Sequence, residues 1–334
     1  MSNTNPQTDW RALSARVLAG EALDRPAALS ILRAPDDELL DLLSATFAIR
    51  KKYFGRGVRL HLLHNAKSGL CSEDCAYCSQ SAAAAAGHTP PYPLQSADEI
   101  AAGAAAATRV QAARYCIVMS GRAPDEPAMQ TICDAVRRIK REHPRLQVCV
   151  SLGLLNDEQA RRLKAAGVNR YNHNLETSRR FYPSICGTHS YDDRVNSARA
   201  AKRAGLELCS GGLLGMGETP EDRVELACAL REIDADSVPV NLLDPRAGTR
   251  LAGRPRLSPT EGLRILAMFR FVLPDREIRI AGGREAVLGP LQPLGLFAAN
   301  SIFTNGYLTT PGQGYAADLA MLAAAGFTVT EIQA

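Results

Sequence analysis

Short apolar segments alternate with capped helical segments over most of the chain, and this alternation constrains the fold more than any other feature of the sequence. Eight segments are short and rich in apolar or β-branched residues, and they span 57–63, 114–119, 147–152, 169–174, 206–209, 237–243, 276–281 and 300–303. We interpret them as parallel strands, because a helix between two strands returns the chain to the same edge of a sheet. Eight such units predict an α/β protein with a (β/α)8 TIM-type barrel, and a doubly wound open sheet is the structural alternative.

The helical segments between the strands have clear start and stop signals. Ser96 with Glu99 and Asn156 with Gln159 each form the pattern of a capping box, in which two side chains satisfy free backbone amides at a helix start. Gly167 is placed to end a helix in the left-handed conformation that other residues resist.

The first part of the chain has a helical pattern instead. Trp10, Leu13 and Val17 recur at three- and four-residue steps, and leucines downstream continue the pattern in a second segment. We therefore expect residues 1–52 to form an N-terminal helical extension and residues 53–334 to form the barrel domain.

Composition excludes several classes of protein. Hydrophobic residues make up 46% and charged residues 22%, which are globular values. A net charge of +4, from 39 basic and 35 acidic residues, gives no reason to expect a nucleic-acid or membrane partner. The longest uncharged run, 286–317, contains three prolines and does not suit a membrane-spanning helix, and residues 1–6 lack the features of a signal peptide. We expect a cytoplasmic protein, in which nine reduced cysteines indicate metal or redox chemistry.

The most specific motif is a cysteine triplet after the first predicted strand, Cys71-Ser-Glu-Asp-Cys75-Ala-Tyr-Cys78. Three thiolates within eight residues can hold one side of an iron–sulfur cube, because soft sulfur ligands prefer iron or zinc. Three ligands leave one iron open for a substrate. A structural zinc site or three unrelated cysteines are the alternatives, but zinc ribbons normally close the site with a second CxxC pair.

This Cx3Cx2C pattern, with Tyr77 before the last cysteine, resembles the radical S-adenosylmethionine (SAM) superfamily. The resemblance implies a 4Fe–4S cluster on Cys71, Cys75 and Cys78 whose open iron binds SAM. It further implies reductive cleavage of SAM to an adenosyl radical, with the hard chemistry carried by the cofactor.

Three more cysteines lie within predicted strands. Cys116, Cys149 and Cys209 fall on the second, third and fifth strands, and inward-pointing residues of different strands converge inside a barrel. They can therefore bind a second cluster, although any single buried cysteine is more often a small core residue. Cys133 and Cys228 lie on helical segments among apolar neighbours, and we expect them only to pack.

From about residue 45 onward the chain resembles the biotin synthase family. The matching stretches are Asn65-Ala-Lys-Ser-Gly-Leu-Cys71, Tyr171-Asn-His-Asn-Leu175, Tyr191-Asp-Asp-Arg194, Cys209-Ser-Gly-Gly212, Gly215-Met-Gly-Glu-Thr219, Val238-Pro-Val-Asn241, Arg279-Ile-Ala-Gly-Gly-Arg284 and Ala299-Asn-Ser-Ile302. Tyr-Asn-His-Asn-Leu together with Cys-Ser-Gly-Gly is the most specific part of this pattern.

The family resemblance implies that Cys116, Cys149, Cys209 and Arg279 hold an auxiliary 2Fe–2S cluster. An arginine is normally protonated and only donates hydrogen bonds, so the alternative for Arg279 is a donor to sulfide or to a carboxylate. The chain departs from the family pattern at Cys186, where the pattern has threonine. If Cys186 is a further ligand, the auxiliary cluster can be larger; a packed loop cysteine is the alternative.

Polar residues at the strand ends complete the predicted site, because catalytic residues collect there in barrels. Strand alternation puts Asn172 and Asn174 on one face, which suits a ligand rich in amide groups. By resemblance, SAM contacts Asn174, Glu176 and Arg194, and the substrate's ureido ring contacts Asn172, Asn174 and Asn241. Gly211 and Gly212 permit a close backbone approach and are further cofactor-binding candidates.

The resemblance implies a radical SAM sulfurtransferase that inserts sulfur into dethiobiotin to form biotin. It also implies a homodimer and an electron donor of the flavodoxin or ferredoxin type. Two alternatives remain: another radical SAM reaction, such as methylornithine formation or hydrogenase maturation, and an electron carrier with a structural cluster.

Overall fold

The fold is a closed barrel of parallel strands surrounded by helices. The computed structural model describes residues 8–69, 71–85, 89–308 and 310–330. Its strands are β1 (Gly57–Lys67), β2 (Arg114–Met119), β3 (Gln147–Ser151), β4 (Arg170–Asn172), β5 (Glu207–Cys209), β6 (Gly212–Leu214), β7 (Ser237–Leu242), β8 (Glu277–Ile280), β9 (Ser301–Thr304) and β10 (Thr328–Val329). The barrel closes where β1 pairs with β9, so the predicted (β/α)8 barrel is confirmed and the open sheet is wrong.

Two short strands share one position of the barrel. β5 pairs with β4 and meets β7 only at Cys209, whereas β6 continues alongside β7 after a two-residue break. Each of the eight predicted strand segments contains or overlaps an observed strand. β6 and β10, of three and two residues, were not predicted.

The helices that surround the barrel follow the predicted alternation. They are α1 (Trp10–Leu18), α2 (Arg25–Leu32), α3 (Leu39–Phe54), α4 (Ala97–Arg109), α5 (Glu126–Glu142), α6 (Asp157–Ala166), α7 (Tyr191–Arg203), α8 (Pro220–Glu232), α9 (Pro259–Val272), α10 (Arg284–Leu288), α11 (Gln292–Gly295) and α12 (Tyr315–Ala324). Ser96 and Asn156 form the predicted capping boxes at the starts of α4 and α6, and Gly167 ends α6 with a φ of 102°.

The N-terminal helices pack on the barrel domain. Trp10, Leu13 and Val17 are buried on one face of α1, as predicted, and belong to a core cluster that continues into the barrel strands. Arg50 on α3 is buried and donates to the carbonyl oxygens of Ala299 and Gly57, at 3.0 and 2.8 Å. The chain ends of the two predicted domains, residues 1–7 and 331–334, lie outside the described residues.

Strand alternation divides apolar from polar residues across the barrel wall. Residues such as Val148, Tyr171 and Ile278 are fully buried in the apolar clusters of the barrel wall. Their strand neighbours, including Cys149 and Arg279, line the central cavity. The interior of the barrel is therefore where the chain places its reactive side chains. Among the described residues, no helix is both long enough and apolar enough to cross a membrane.

Candidate active site

A cavity of about 630 Å³ opens among the carboxyl ends of the strands. Most of the predicted site residues line it, namely Cys71, Cys78, Cys116, Cys149, Asn172, Asn174, Glu176, Arg194, Cys209, Asn241 and Arg279. The structure thus brings side chains from both predicted cluster sites to one cavity, as expected at this face of a (β/α)8 barrel.

The Cx3Cx2C loop follows β1 and folds over the mouth of the cavity. The amide of Cys78 donates to the carbonyl of Cys75 at 3.1 Å, and the amide of Ala76 donates to the carbonyl of Ile185 at 2.8 Å. Burial raises the pKa of the Cys78 thiol to about 11, so metal binding there must displace a proton. Cys71 and Cys78 face the cavity, which fits a cluster whose open side points toward a bound ligand.

The three barrel cysteines converge inside the barrel from β2, β3 and β5. Cys116 on β2 is in register with Cys149 on β3, and Cys209 on β5 is in register with Asn172 on β4. A hydrogen bond from the Cys149 thiol lowers the pKa of Cys116, so this thiol ionises more readily than a free cysteine. Three convergent thiols in a closed interior fit a second soft-metal cluster.

Arg279 on β8 lies beside the barrel cysteines. Its Nη1 is 3.6 Å from the Cys209 sulfur, and its Nη2 donates to Glu277 Oε1 at 2.6 Å and to Ser237 Oγ at 2.9 Å. Burial lowers the pKa of Arg279, but the neighbouring Cys209 sulfur and the Glu277 carboxylate outweigh burial and raise it above its usual value. The guanidinium is therefore charged without a cluster, and its buried Nε has no partner among the described residues. That free Nε fits a group bound between Arg279 and the thiols.

Glu277 on β8 is the main counter-ion of the barrel floor, and sequence reasoning missed it. Its carboxylate lies 3.0 to 3.2 Å from guanidinium nitrogens of Arg59, Arg114 and Arg170, besides its contact with Arg279. Burial raises the pKa of Glu277, but Arg170, His61 and Arg114 outweigh burial and hold the pKa well below its usual range. The barrel floor is thus a charged layer directly beneath the cysteines.

The sequence contains a simple pattern that predicts this charged layer. A charged residue stands two positions before a predicted ligand in Arg114-Tyr-Cys116, Glu207-Leu-Cys209 and Glu277-Ile-Arg279. Because strand residues two apart share a face, the inward-pointing ligands predict an inward-pointing charged layer beneath them.

Glu176 and Arg194 form a polar corner between the Cx3Cx2C loop and the cavity. Tyr77 Oη donates to Glu176 Oε1 at 2.9 Å, and Arg194 Nη1 donates to the carbonyl of Asn174 at 2.8 Å. Burial raises the pKa of the Glu176 carboxyl. Arg194 is buried and donates through Nε to Tyr182 Oη at 2.6 Å, so it is not a solvated surface charge.

The asparagines hold positions around the barrel cysteines. Asn172 Nδ2 lies 3.2 Å from the Cys209 sulfur, and Asn174 Oδ1 accepts from the Gly211 amide at 3.2 Å. Asn241 joins two backbone segments, since its Nδ2 donates to the Gly212 carbonyl at 3.1 Å and its Oδ1 accepts from the Gly282 amide at 2.9 Å. Each of these amides also borders the cavity.

Positions 211 and 212 have room only for glycine, because other parts of the protein lie very close to the backbone there. A Cβ at Gly211 would collide with the carbonyl of Pro239, and one at Gly212 would collide with Leu226 and the carbonyl of Glu176. Contact of these glycines with a cofactor stays a prediction.

Cys186 lies beside the Cx3Cx2C loop. Its sulfur is 3.9 Å from the Cys75 sulfur and 3.3 Å from Asp74 Oδ1. The segment after β4 turns back and hydrogen-bonds to this loop through Ile185. These contacts favour the packed loop cysteine over ligation of the auxiliary cluster by Cys186.

Two protein-family models match the chain. Residues 67–229 match the Radical SAM superfamily, and residues 239–328 match the Biotin and Thiamin Synthesis associated domain. Together with the barrel and the Cx3Cx2C loop, these matches define a radical SAM enzyme.

Sequence similarity to named proteins shows to which family of radical SAM enzymes the chain belongs. The chain is 50% identical over 320 residues to the biotin synthase of Salinibacter ruber, covering 96% of this chain and 89% of that protein. It is 48% identical over 331 residues to the biotin synthase of Bacillus cytotoxicus, covering 99% of each. The chain belongs to the biotin synthase family.

Solved structures support the fold. Methylornithine synthase matches with a TM-score of 0.84 at 23% identity, covering 96% of this chain and 97% of that one. The hydrogenase maturase HydG from Carboxydothermus hydrogenoformans matches with a TM-score of 0.80 at 17% identity, covering 99% and 81%. At these identities the likeness establishes the architecture alone.

Proposed function

We propose that this enzyme inserts sulfur into dethiobiotin to form biotin. The observation that carries the proposal is the second set of thiols: Cys116, Cys149 and Cys209 converge inside the barrel and line the same cavity as Cys71 and Cys78. An enzyme that only cleaves SAM needs the first set alone.

Cys71, Cys75 and Cys78 hold a 4Fe–4S cluster, and Cys116, Cys149, Cys209 and Arg279 hold an auxiliary 2Fe–2S cluster. When bound, these groups supply the electron that cleaves SAM and the sulfur that enters the product. The chain's own contribution is to hold both groups at one cavity and to keep bulk water from it. The buried carboxylate of Glu277 keeps the Arg279 guanidinium charged and oriented beside the thiols.

SAM binds against the corner formed by Asn174, Glu176 and Arg194, with Gly211 and Gly212 behind it. Glu176 already accepts a hydrogen bond from Tyr77, and its second oxygen is 3.5 Å from Asn174 Nδ2. The carboxylate therefore has lone pairs left for the hydroxyl groups of a ribose.

Dethiobiotin binds among Asn172, Asn174 and Asn241. Each amide of this set makes protein contacts but keeps further capacity to donate or accept. Three amides around one cavity suit a ureido ring, which both donates and accepts hydrogen bonds.

The enzyme works in the cytoplasm as a homodimer with a flavodoxin- or ferredoxin-type electron donor. Residues 1–52 serve as an extension of the barrel domain at 53–334.

Cys149→Ala is expected to stop biotin formation while SAM cleavage continues. Cys149 lies between Cys116 and Cys209, so its loss removes a ligand of the auxiliary cluster and leaves the Cx3Cx2C loop intact. The measurement compares 5′-deoxyadenosine with biotin in anaerobic assays of the reconstituted protein. Cys133→Ala, a buried cysteine on α5, is the matched control. Biotin formation at the wild-type rate by Cys149→Ala would contradict the assigned role.

Asn241→Ala is expected to weaken dethiobiotin binding. A ureido group left without its partner in a closed cavity costs about 1–3 kcal/mol, or about 5- to 150-fold in affinity. Calorimetric titration with dethiobiotin measures the change. Because Asn241 also bonds Gly212 and Gly282, thermal unfolding of the same sample checks that the barrel is intact. Unchanged affinity in a folded variant would remove Asn241 from the substrate site.

A further inference from the structure

Cys75, Cys186 and His189 form a compact group of metal-ligating side chains where the segment after β4 packs on the Cx3Cx2C loop. One ligand atom from each lies within 4.8 Å of the other two, and all three residues are buried or nearly so. Asp74 stands beside them, with its Oδ1 3.3 Å from the Cys186 sulfur. The predicted cluster chemistry uses Cys75 but leaves Cys186 and His189 without a role.

The spacing of these atoms is that of a tetrahedral zinc site. With zinc–sulfur bonds of about 2.3 Å and zinc–nitrogen or zinc–oxygen bonds of about 2.0–2.1 Å, neighbouring ligand atoms lie roughly 3.3–3.8 Å apart. The sulfurs of Cys75 and Cys186 are 3.9 Å apart, and the Cys186 sulfur is 3.3 Å from His189 Nδ1 and 3.9 Å from its Nε2. Little movement is therefore needed to enclose an ion.

A carboxylate orients the imidazole ring of His189, as is usual for metal-binding histidines. Its Nδ1 lies 2.5 Å from Glu73 Oε2, and Thr188 Oγ1 donates to the same oxygen at 2.7 Å. A carboxylate on one ring nitrogen fixes the ring and leaves the other nitrogen, Nε2, as the ligand.

We propose that the chain, before its 4Fe–4S cluster is assembled, binds one zinc ion through Cys75, Cys186 and His189, with the fourth position left to a water molecule. Two thiolates and an imidazole bind Zn²⁺ more tightly than Fe²⁺. Because Cys75 serves both sites, zinc and the 4Fe–4S cluster exclude each other. Zinc binding itself does not rest on the proposed conversion of dethiobiotin.

The test uses the cluster-free, full-length protein under anaerobic, reducing conditions. Co²⁺ is titrated as a spectroscopic probe and then displaced with Zn²⁺, and bound zinc is counted after desalting. We expect Cys186→Ala and His189→Ala each to bind one zinc fewer per chain than the wild type, while Cys71→Ala and the packing control Cys228→Ala bind as many as the wild type. Far-ultraviolet circular dichroism identifies any variant that has not folded, and the His189 variant keeps both thiols if Cys186→Ala is such a variant.

A second measurement follows cluster assembly by its absorbance. Prior loading with one equivalent of zinc is expected to slow assembly at least about tenfold in the wild type and to have no effect in Cys186→Ala, because only the wild type holds zinc on Cys75. Binding that depends on Cys71 and not on Cys186 would overturn the proposal, since it would place the ion on the Cx3Cx2C thiols themselves. Equal zinc counts in the wild type and both variants would overturn it as well.

Discussion

Cys78→Ala is expected to cleave no detectable SAM. Cys78 is one of three thiols on the Cx3Cx2C loop, and its main chain also fixes the loop through the carbonyl of Cys75. With only two thiolates left, the loop would no longer hold the 4Fe–4S cluster. The open iron that binds SAM would then be lost with the cluster. The nearby Cys186 does not replace it, because Cys186 lies against Cys75, whereas Cys78 lines the cavity.

The measurement is the yield of 5′-deoxyadenosine from SAM with dithionite after anaerobic reconstitution, together with iron and sulfide counts. Cys133→Ala is the matched control, because this thiol is buried on α5 among apolar neighbours and is expected only to pack. Cleavage at the wild-type rate in Cys78→Ala would contradict the assignment of the loop to radical generation.

Glu277→Ala is expected to destabilise the fold by about 3–5 kcal/mol, because it removes the common partner of several buried cations. Arg114, Arg170 and Arg279 would keep their charges inside the barrel with too few counter-ions. The free energy of unfolding, measured by urea titration of the cluster-free protein, gives the effect. Glu277→Gln keeps the side-chain shape and is expected to lose part of this stability.

Glu142→Ala is the control for this experiment. Glu142 pairs with Arg138 at the exposed end of α5, and a surface pair of that kind is worth about 0–1 kcal/mol. A loss in Glu277→Ala no larger than in Glu142→Ala would show that the charged floor does not stabilise the barrel.

The barrel could be predicted from the sequence because its signals are local. Alternating apolar segments and capping residues such as Ser96 and Asn156 each act within a few positions of the chain. The length of the strands was less predictable. The segment 206–209 was expected as one strand, but the chain breaks after Cys209 and forms β6, since Gly211 and Gly212 pass too close to other backbone for side chains.

The candidate site could be predicted in part. Strand alternation and barrel convergence correctly brought Cys116, Cys149 and Cys209 together, because both rules concern directions that the backbone fixes. The surroundings of Cys186 could not be predicted, because they depend on how a long loop folds after β4. A contact distant in sequence, between the amide of Ala76 and the carbonyl of Ile185, helps to hold that loop against the Cx3Cx2C loop. The role of Glu277 could not be predicted for a similar reason, because it depends on contacts with arginines on three other strands.

The most direct measurement is a single-turnover assay with labelled sulfide. The protein is reconstituted with iron and ³⁴S-sulfide, desalted, and then given dethiobiotin, SAM and a reductant under anaerobic conditions. The proposed function predicts biotin that carries ³⁴S, formed by the wild type and not by Cys149→Ala. Absence of biotin, or biotin without the label, would contradict the claim that this barrel donates sulfur from a cluster on Cys116, Cys149 and Cys209.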